Sequence, residues 1–255
     1  MAGAFVRLED KHGWAWVTLD RPPLNLMVPE MVEGITTTFH ALRRDPGVRG
    51  AVITGNGRAL TGGMQLQFLR ELRPFEAKAF ITTLQEAIEA VHEAPFPTIC
   101  MMNGACLGGG FELAMACDMR TASTDAVMGL PEIRVGLPSV IQAALLPPLV
   151  GPGRAAELLL TGESISASTA LEWGLVNRVV PRPELESATV ELMAKILACS
   201  PAAVRLQKEL MVRWRNTDQS SAIHHGINTF AQTYATDEPR EAMQAFLEKR
   251  KPRFS

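Results

Sequence analysis

The sequence predicts an α/β fold with a helical C-terminal region. Three observations carry that reading. Short apolar, β-branched runs alternate with amphipathic helical stretches through the first 180 residues, the pattern of βαβ units on a parallel sheet. After residue 183 the strand signals cease and helical segments follow one another. A chain of 255 residues is long for one core and short for two full domains. The expected organisation is therefore an α/β core over 1–183 and a helical region over 184–255.

Taken in order, Phe5–Leu8 and Trp14–Leu19 flank the turn signal His12-Gly13 and read as a hairpin. From Pro29 to Arg43 the residues Val32, Ile35, Phe39 and Leu42 recur at helical spacing, and Asp45-Pro46-Gly47 ends the run. Gly50–Thr54 is a short β-branched strand. Phe80, Leu84, Ile88 and Val91 mark a second amphipathic helix, which Pro95 and Pro97 terminate. Thr98–Met102 is an apolar strand running straight into a glycine cluster. Glu184–Cys199, Pro201–Trp214, Ala222–Tyr234 and Pro239–Lys249 read as helices, two of them with proline in the first turn.

Composition excludes several function classes. Apolar residues make up 47% and charged residues 20%, so the chain can build a core and is not disordered throughout. Lys plus Arg (25) nearly balances Asp plus Glu (27), which leaves no sequence-wide basic field for nucleic acid or an anionic membrane. Cys100, Cys106, Cys117 and Cys199 lie in apolar runs without a CxxC pair, so buried thiols are expected rather than disulfides or a zinc site. The first ten residues lack the pattern of a signal peptide, and the most apolar stretch, Thr98 to Met119, is broken by Asn103, glycines and Glu112. A cytoplasmic chain that does not span a membrane is the expectation.

Asn103-Gly-Ala-Cys-Leu-Gly-Gly-Gly-Phe-Glu-Leu-Ala114 is the most informative stretch. A buried strand enters four glycines and then a helix-forming run. Glycines let the backbone approach a ligand, and a helix start aims unpaired N–H groups outward, which suits a phosphate or a developing oxyanion. A tight turn that packs helix on strand explains the same glycines without a ligand. Lys-Ser/Thr is missing after the glycines and GxGxxG is absent, so this is neither a Walker loop nor a dinucleotide fingerprint. Glu112, three residues past Gly109, shares a helix face with it; a first-turn acid complementing the helix dipole is the plainer explanation. Leu130-Pro131-Glu132-Ile133 sets a second carboxylate in an apolar loop, where an exposed glutamate is the plainer reading. Spacing does not establish that the two meet. If they do, close like charges push their pKa values apart and one acid and one base result. A second glycine pair, in Arg58-Ala-Leu-Thr-Gly-Gly-Met-Gln-Leu66, offers a further N–H, and an oxyanion hole needs two.

These motifs together resemble the crotonase (enoyl-CoA hydratase/isomerase) superfamily over essentially the whole chain. The family's Arg-Pro…Leu-Asn element is similar to Asp20-Arg-Pro-Pro-Leu-Asn25. Its first oxyanion loop, Lys-Ala-Phe-Ser-Ala-Gly-Ala-Asp-Leu, is similar to Arg58–Leu66, and its second to Asn103–Ala114. Pro131-Glu-Ile-Arg-Val-Gly-Leu-Pro138 and Glu241–Phe254 resemble its later elements.

The resemblance implies a crotonase-like spiral of ββα units, a helical C-terminal trimerisation region, and a coenzyme A thioester as substrate. It places the oxyanion donors on the N–H groups of Met64 and Gly109, and substrate contacts at Leu24, Asn25, Gln65, Leu66, Gln67 and Gly108. Hydratases of the family carry both glutamates, whereas isomerases usually keep only the second, so Glu112 and Glu132 point to an enoyl-CoA hydratase, a hydro-lyase. Glu112 then activates the water that adds at C3 and Glu132 protonates C2. A homotrimer or dimer of trimers is implied, with no cofactor beyond the coenzyme A of the substrate and no metal.

Three departures stand out. Gln65 replaces the usual aspartate, Gln67 replaces a lysine of some members, and Pro138–Pro147 replaces Pro-Gly-x-Gly-Gly-Thr-Gln-Arg-Leu-Pro. The last exchange adds apolar volume to the expected acyl wall. His224-His225 point to different helix faces and carry no metal motif; His12, His40 and His92 are isolated. Lys249, Arg250, Lys251 and Arg253 are either a solvated helix end or a contact for coenzyme A phosphates. Rival readings are another crotonase reaction (isomerisation, hydroxyacyl-CoA dehydration or thioester hydrolysis) and a non-catalytic RNA-binding member. The last presents lysines on an early helix, and Pro29–Arg44 has none.

Overall fold

The computed structural model describes residues 5–254; the first four residues of the N-terminal stretch lie outside them. The hairpin forms from β1 (Val6–Asp10) and β2 (Ala15–Leu19), and the turn between them uses positive φ at both His12 and Gly13. Helix α1 (Pro29–Arg44) buries Met31, Val32, Ile35, Phe39 and Leu42, the stripe that its 3.6-residue period requires. There follow β3 (Ala51–Gly55), β4 (Ala59–Thr61), α2 (Leu66–Arg70), α3 (Pro74–His92), β5 (Thr98–Met102), β6 (Ala105–Leu107), α4 (Gly109–Ala116), β7 (Met119–Ser123) and β8 (Val127–Gly129). Two 3-10 turns, Pro131–Val135 and Ile141–Leu145, lead into α5 (Leu146–Val150), α6 (Pro152–Thr161), β9 (Ser164–Ser166), α7 (Ala167–Glu172) and β10 (Arg178–Val180). The chain closes with α8 (Arg182–Leu197), α9 (Pro201–Trp214), α10 (Gln219–Thr233) and α11 (Glu238–Leu247).

Two sheets result. The larger runs β1-β2-β3-β5-β7-β10, parallel except for the β1–β2 hairpin. The smaller runs β4-β6-β8-β9, with β4, β6 and β8 parallel. Each of β3, β5 and β7 in the large sheet is followed directly by β4, β6 or β8 in the small one. The chain thus steps between sheets in successive units, and β3, β5 and β7 are buried along nearly their whole length, as strands covered on both faces must be.

Helix α8 belongs with the α/β core rather than with a separate C-terminal region. Leu185 and Met193 pack with Trp14, Trp16, Val52, Ile99 and Met101, and the Thr189 and Thr121 hydroxyls bond at 2.7 Å. The helices that stand apart start with α9. Two side chains of α9 and its C-cap tie them to the core: the buried Lys208 ammonium donates to both Asp118 oxygens and to the carbonyl of His92, and the Arg215 guanidinium lies 3.0 Å from His92 Nδ1. Cys100, Cys106 and Cys117 are buried as expected, but Cys199 is exposed, because it follows the end of α8.

Candidate active site

The small sheet positions the site. Its three parallel strands point their C-terminal ends the same way, and each end feeds a loop: Gly62-Gly63-Met64 after β4, Gly108-Gly109 after β6, and Pro131-Glu132 after β8. Loops at the carboxyl ends of parallel strands gather on one side of a sheet, which is where such folds bind ligands. The first two touch: the Cα of Gly63 lies 3.8 Å from where a Gly108 Cβ would sit, and the Met64 sulfur 3.8 Å from the equivalent point on Gly109.

Met64 forms a parallel bridge with Met27, but both hydrogen bonds of that bridge come from its neighbours. Met27 N–H donates to Gly63 O at 2.9 Å, and Gln65 N–H to Met27 O at 3.0 Å. The N–H of Met64 therefore faces away from Met27. Gly109 opens α4, where a helix leaves its first N–H groups unpaired. Among the described residues neither the Met64 nor the Gly109 N–H has a protein acceptor.

Glu112 sits in the first turn of α4 and is 3% exposed. Its Oε1 accepts from the Ala143 N–H at 2.8 Å. Burial pushes its pKa up from the ordinary 4.5 to about 8: desolvation outweighs the stabilising amide, and the nearby charge of Glu132 adds to the rise. Glu132, in the 3-10 turn Pro131–Val135, is half-buried and also raised, again chiefly by burial, against its own backbone N–H and the Ser139 hydroxyl. Ser139 Oγ donates to Glu132 Oε2 at 2.9 Å. The other oxygen, Oε1, lies 2.6 Å from where a Cβ on residue 108 would be. Gly108 holds φ +57° and ψ −134°, a conformation for glycine alone, so both its backbone and its missing side chain make room for this carboxylate. The two glutamates expected from the motifs, twenty residues apart in the chain, are held from one short segment, by the Ala143 N–H and the Ser139 hydroxyl, and the charge of Glu132 bears on Glu112. Glu132 is on the wall of a cleft, whereas Glu112 lies buried behind it.

Met64, Gly108 and Glu132 share the wall of a cleft of about 380 Å³, with Leu66, Gln67 and Leu137 also on it. Of the other expected contact residues, Gln65 is half-buried and stands at the N-cap position of α2 without a side-chain capping bond. Leu24 turns its carbonyl to the Gly62 N–H at 2.8 Å and its Cβ toward Gly62. Asn25 is a correction. Expected against substrate, it is fully buried, and its amide donates to Asn56 O and Ala59 O while accepting from Arg21 N–H. Those bonds hold the strand end of the first glycine loop, and the next residue, Leu26, lines the cleft instead.

Sequence reasoning also missed Leu69 and Val135 on the cleft wall, and the donors Ser139 and Ala143. The signal for these donors was present: both lie in the segment singled out for its departure. That segment does more than add apolar volume. Its Ser139 and Ala143 bond the two glutamates, while Gln142 and Leu145 face a separate cavity beside α3. In the C-terminal basic run, Arg250 pairs with Glu241 at 2.6 Å and with Glu248, which favours the folded-helix-end explanation for that residue. Among the described residues no three His, Cys, Asp or Glu side chains form a metal-ligating group.

Comparison with known proteins identifies the family. The enoyl-CoA hydratase/isomerase family matches residues 9–255. A crotonyl-CoA hydratase of Syntrophomonas wolfei is 35% identical over 100% of this chain and 99% of its own length. Pseudomonas aeruginosa DspI superposes with a TM-score of 0.96 at 32% identity, covering 100% of this chain and 98% of that one. An enoyl-CoA hydratase from Bacillus anthracis does so with a TM-score of 0.93 at 30% identity, covering 98% of each chain. The likeness spans both sheets and the loops that carry Glu112 and Glu132, so the chain belongs to the enoyl-CoA hydratase/isomerase family.

Proposed function

We propose that this protein is an enoyl-CoA hydratase, adding water reversibly across the 2,3 double bond of a coenzyme A thioester. One observation carries the reading: two interacting carboxylates lie beside two unpaired main-chain amides on adjoining loops. The Met64 and Gly109 N–H groups hold the thioester oxygen and stabilise the enolate-like charge that develops as water adds at C3. Each such donor is typically worth about 3 kcal/mol. The glutamates then need a single proton between them, one to take a proton from water and the other to give one to C2. The scheme calls on these residues, water and the coenzyme A thioester itself.

The roles implied by the resemblance make Glu112 the base and Glu132 the acid. One observation favours the exchange of these roles in the unliganded protein. Glu112 is the more deeply buried, and burial pushes its pKa up to about 8, which favours the shared proton on it rather than on Glu132 beside the Ser139 hydroxyl. Exchange of the C2 protons of a saturated acyl-CoA with D2O decides between them. Whichever of Glu112→Gln and Glu132→Gln abolishes that exchange identifies the group serving C2.

The function itself is tested by incubating the protein with 2-enoyl-CoAs of varied length and branching and following loss of the conjugated absorbance. Glu132→Gln is expected to lower turnover by about 10²- to 10⁴-fold while thioester binding survives. A panel in which no enoyl-CoA is hydrated, or a mutant as fast as wild type, refutes the assignment. A homotrimer or dimer of trimers belongs to the same reading. Its support is the exposed apolar face of α10 (Ile223, Ile227, Phe230), continued by Tyr234 at its C-cap, and Phe246 on α11, which a lone chain leaves in water.

A further inference from the structure

We propose that Ser139 is a positioning residue for Glu132, its hydroxyl clamping Oε2 so that Oε1 is held over Gly108 and turned to the cleft. The inference deepens the hydratase reading and rests on it for its kinetic consequence. Ser139 lies in the Pro138–Pro147 segment, where this chain departs from the pattern it otherwise resembles. It donates to Glu132 Oε2 at 2.9 Å, and among the described residues it has no other side-chain partner.

The backbone around it supports a clamp. Ser139 and Ala143 bracket Ile141, which has φ +42°, a left-handed conformation that a β-branched residue adopts only under strain. The strained turn is what brings a donor to each glutamate from one short segment: the Ser139 hydroxyl to Glu132 and the Ala143 N–H to Glu112. A glutamate with one oxygen anchored and the other against a glycine loses its free rotation about the last torsion. Its reactive oxygen is then placed before substrate arrives.

The charged groups around Glu132 are few. Glu112 on α4 interacts with it, and Arg134 on its own turn is committed to the Thr161 carbonyl and to Glu163. Ser139 is therefore the side chain that decides which way the Glu132 carboxyl points. A hydroxyl that donates favours the ionised carboxylate, so its removal raises the pH at which Glu132 titrates.

The experiment compares wild type, Ser139→Ala and Ser139→Thr in two measurements. The first is kcat and KM with a hydrated 2-enoyl-CoA across pH. Ser139→Ala is expected to lower kcat by about tenfold to hundredfold, with KM within about threefold, and Ser139→Thr to restore most of the loss. The second follows the ¹³C carboxyl resonance of Glu132, assigned by its absence in Glu132→Gln, through a pH titration without substrate. Ser139→Ala is expected to move that titration to higher pH and Ser139→Thr to leave it near wild type. An unchanged or lowered Glu132 titration in Ser139→Ala overturns the proposal. So does a loss in KM alone, or one that the threonine does not rescue. If wild type hydrates no enoyl-CoA, the hydratase reading fails while the titration still decides the role of Ser139.

Discussion

Gly108→Ala probes the site at its tightest point. The added Cβ would lie 2.6 Å from Glu132 Oε1, whereas real Cβ contacts begin near 3.0 Å and are ordinary from 3.4 Å. The carboxylate must therefore retreat by roughly 0.4–0.8 Å. Misplacing a catalytic group by about 1 Å costs on the order of 10²-fold, so kcat/KM is expected to fall by about tenfold to hundredfold. The backbone adds its own cost. At φ +57° and ψ −134° an alanine is strained by roughly 1–3 kcal/mol, which lowers Tm by roughly 2–10 °C in a chain of this size. Gly174→Ala separates the two effects. It too has positive φ (+78°), but nothing lies within 4 Å of its new Cβ. This control is expected to lose stability and keep its activity. Enoyl-CoA hydration and thermal melts of the three proteins read both quantities. Wild-type kcat/KM in Gly108→Ala would show that Glu132 does not act where this geometry holds it.

The pH–rate profile and the core ion pair give further predictions. The active form carries one proton on the two glutamates, so kcat/KM should rise with pH as the doubly protonated pair loses its first proton, above the ordinary 4.5. It should then fall as the last proton leaves near pH 8; a profile still climbing at pH 9 contradicts the shared proton. Lys208→Ala leaves the buried Asp118 with only the Thr98 N–H and hydroxyl, and the side chains of this pair are 2% and 7% exposed. Removing one partner of such a pair costs about 3–5 kcal/mol, so a thermal melt should fall by roughly 10 °C, and an unmoved melt would mean that α9 is not anchored there.

Most of the large-sheet strands and long helices were readable from the chain because their signals are local. The α1 stripe, the strand at Thr98–Met102 and the start of α9 rest on period, composition and a capping serine, all within a few residues. Boundaries drifted where the first apolar residue was taken as the helix start. Helix α10 begins at Gln219 rather than Ala222 because Asp218 caps it, accepting the Ser221 N–H at 3.0 Å. The small sheet escaped notice. Its strands are three residues each, too short to show a period of two, and β6 lies inside the glycine run that drew attention for another reason.

By itself the sequence determined the candidate residues and the family: the two glutamates, the glycines beside main-chain amides, and the order of motifs that marks the family. Only the tertiary structure decided how those groups are set. Glu112 receives its N–H from Ala143, 31 positions away, and the depth that raises its pKa is a property of packing. Gly108 is required because Glu132, from another loop, fills the space a side chain would take. Asn25 left the cleft because its amide found three backbone partners. Periodicity and propensity act over a few residues, whereas desolvation, steric exclusion and hydrogen-bond pairing act between whatever the fold brings into contact.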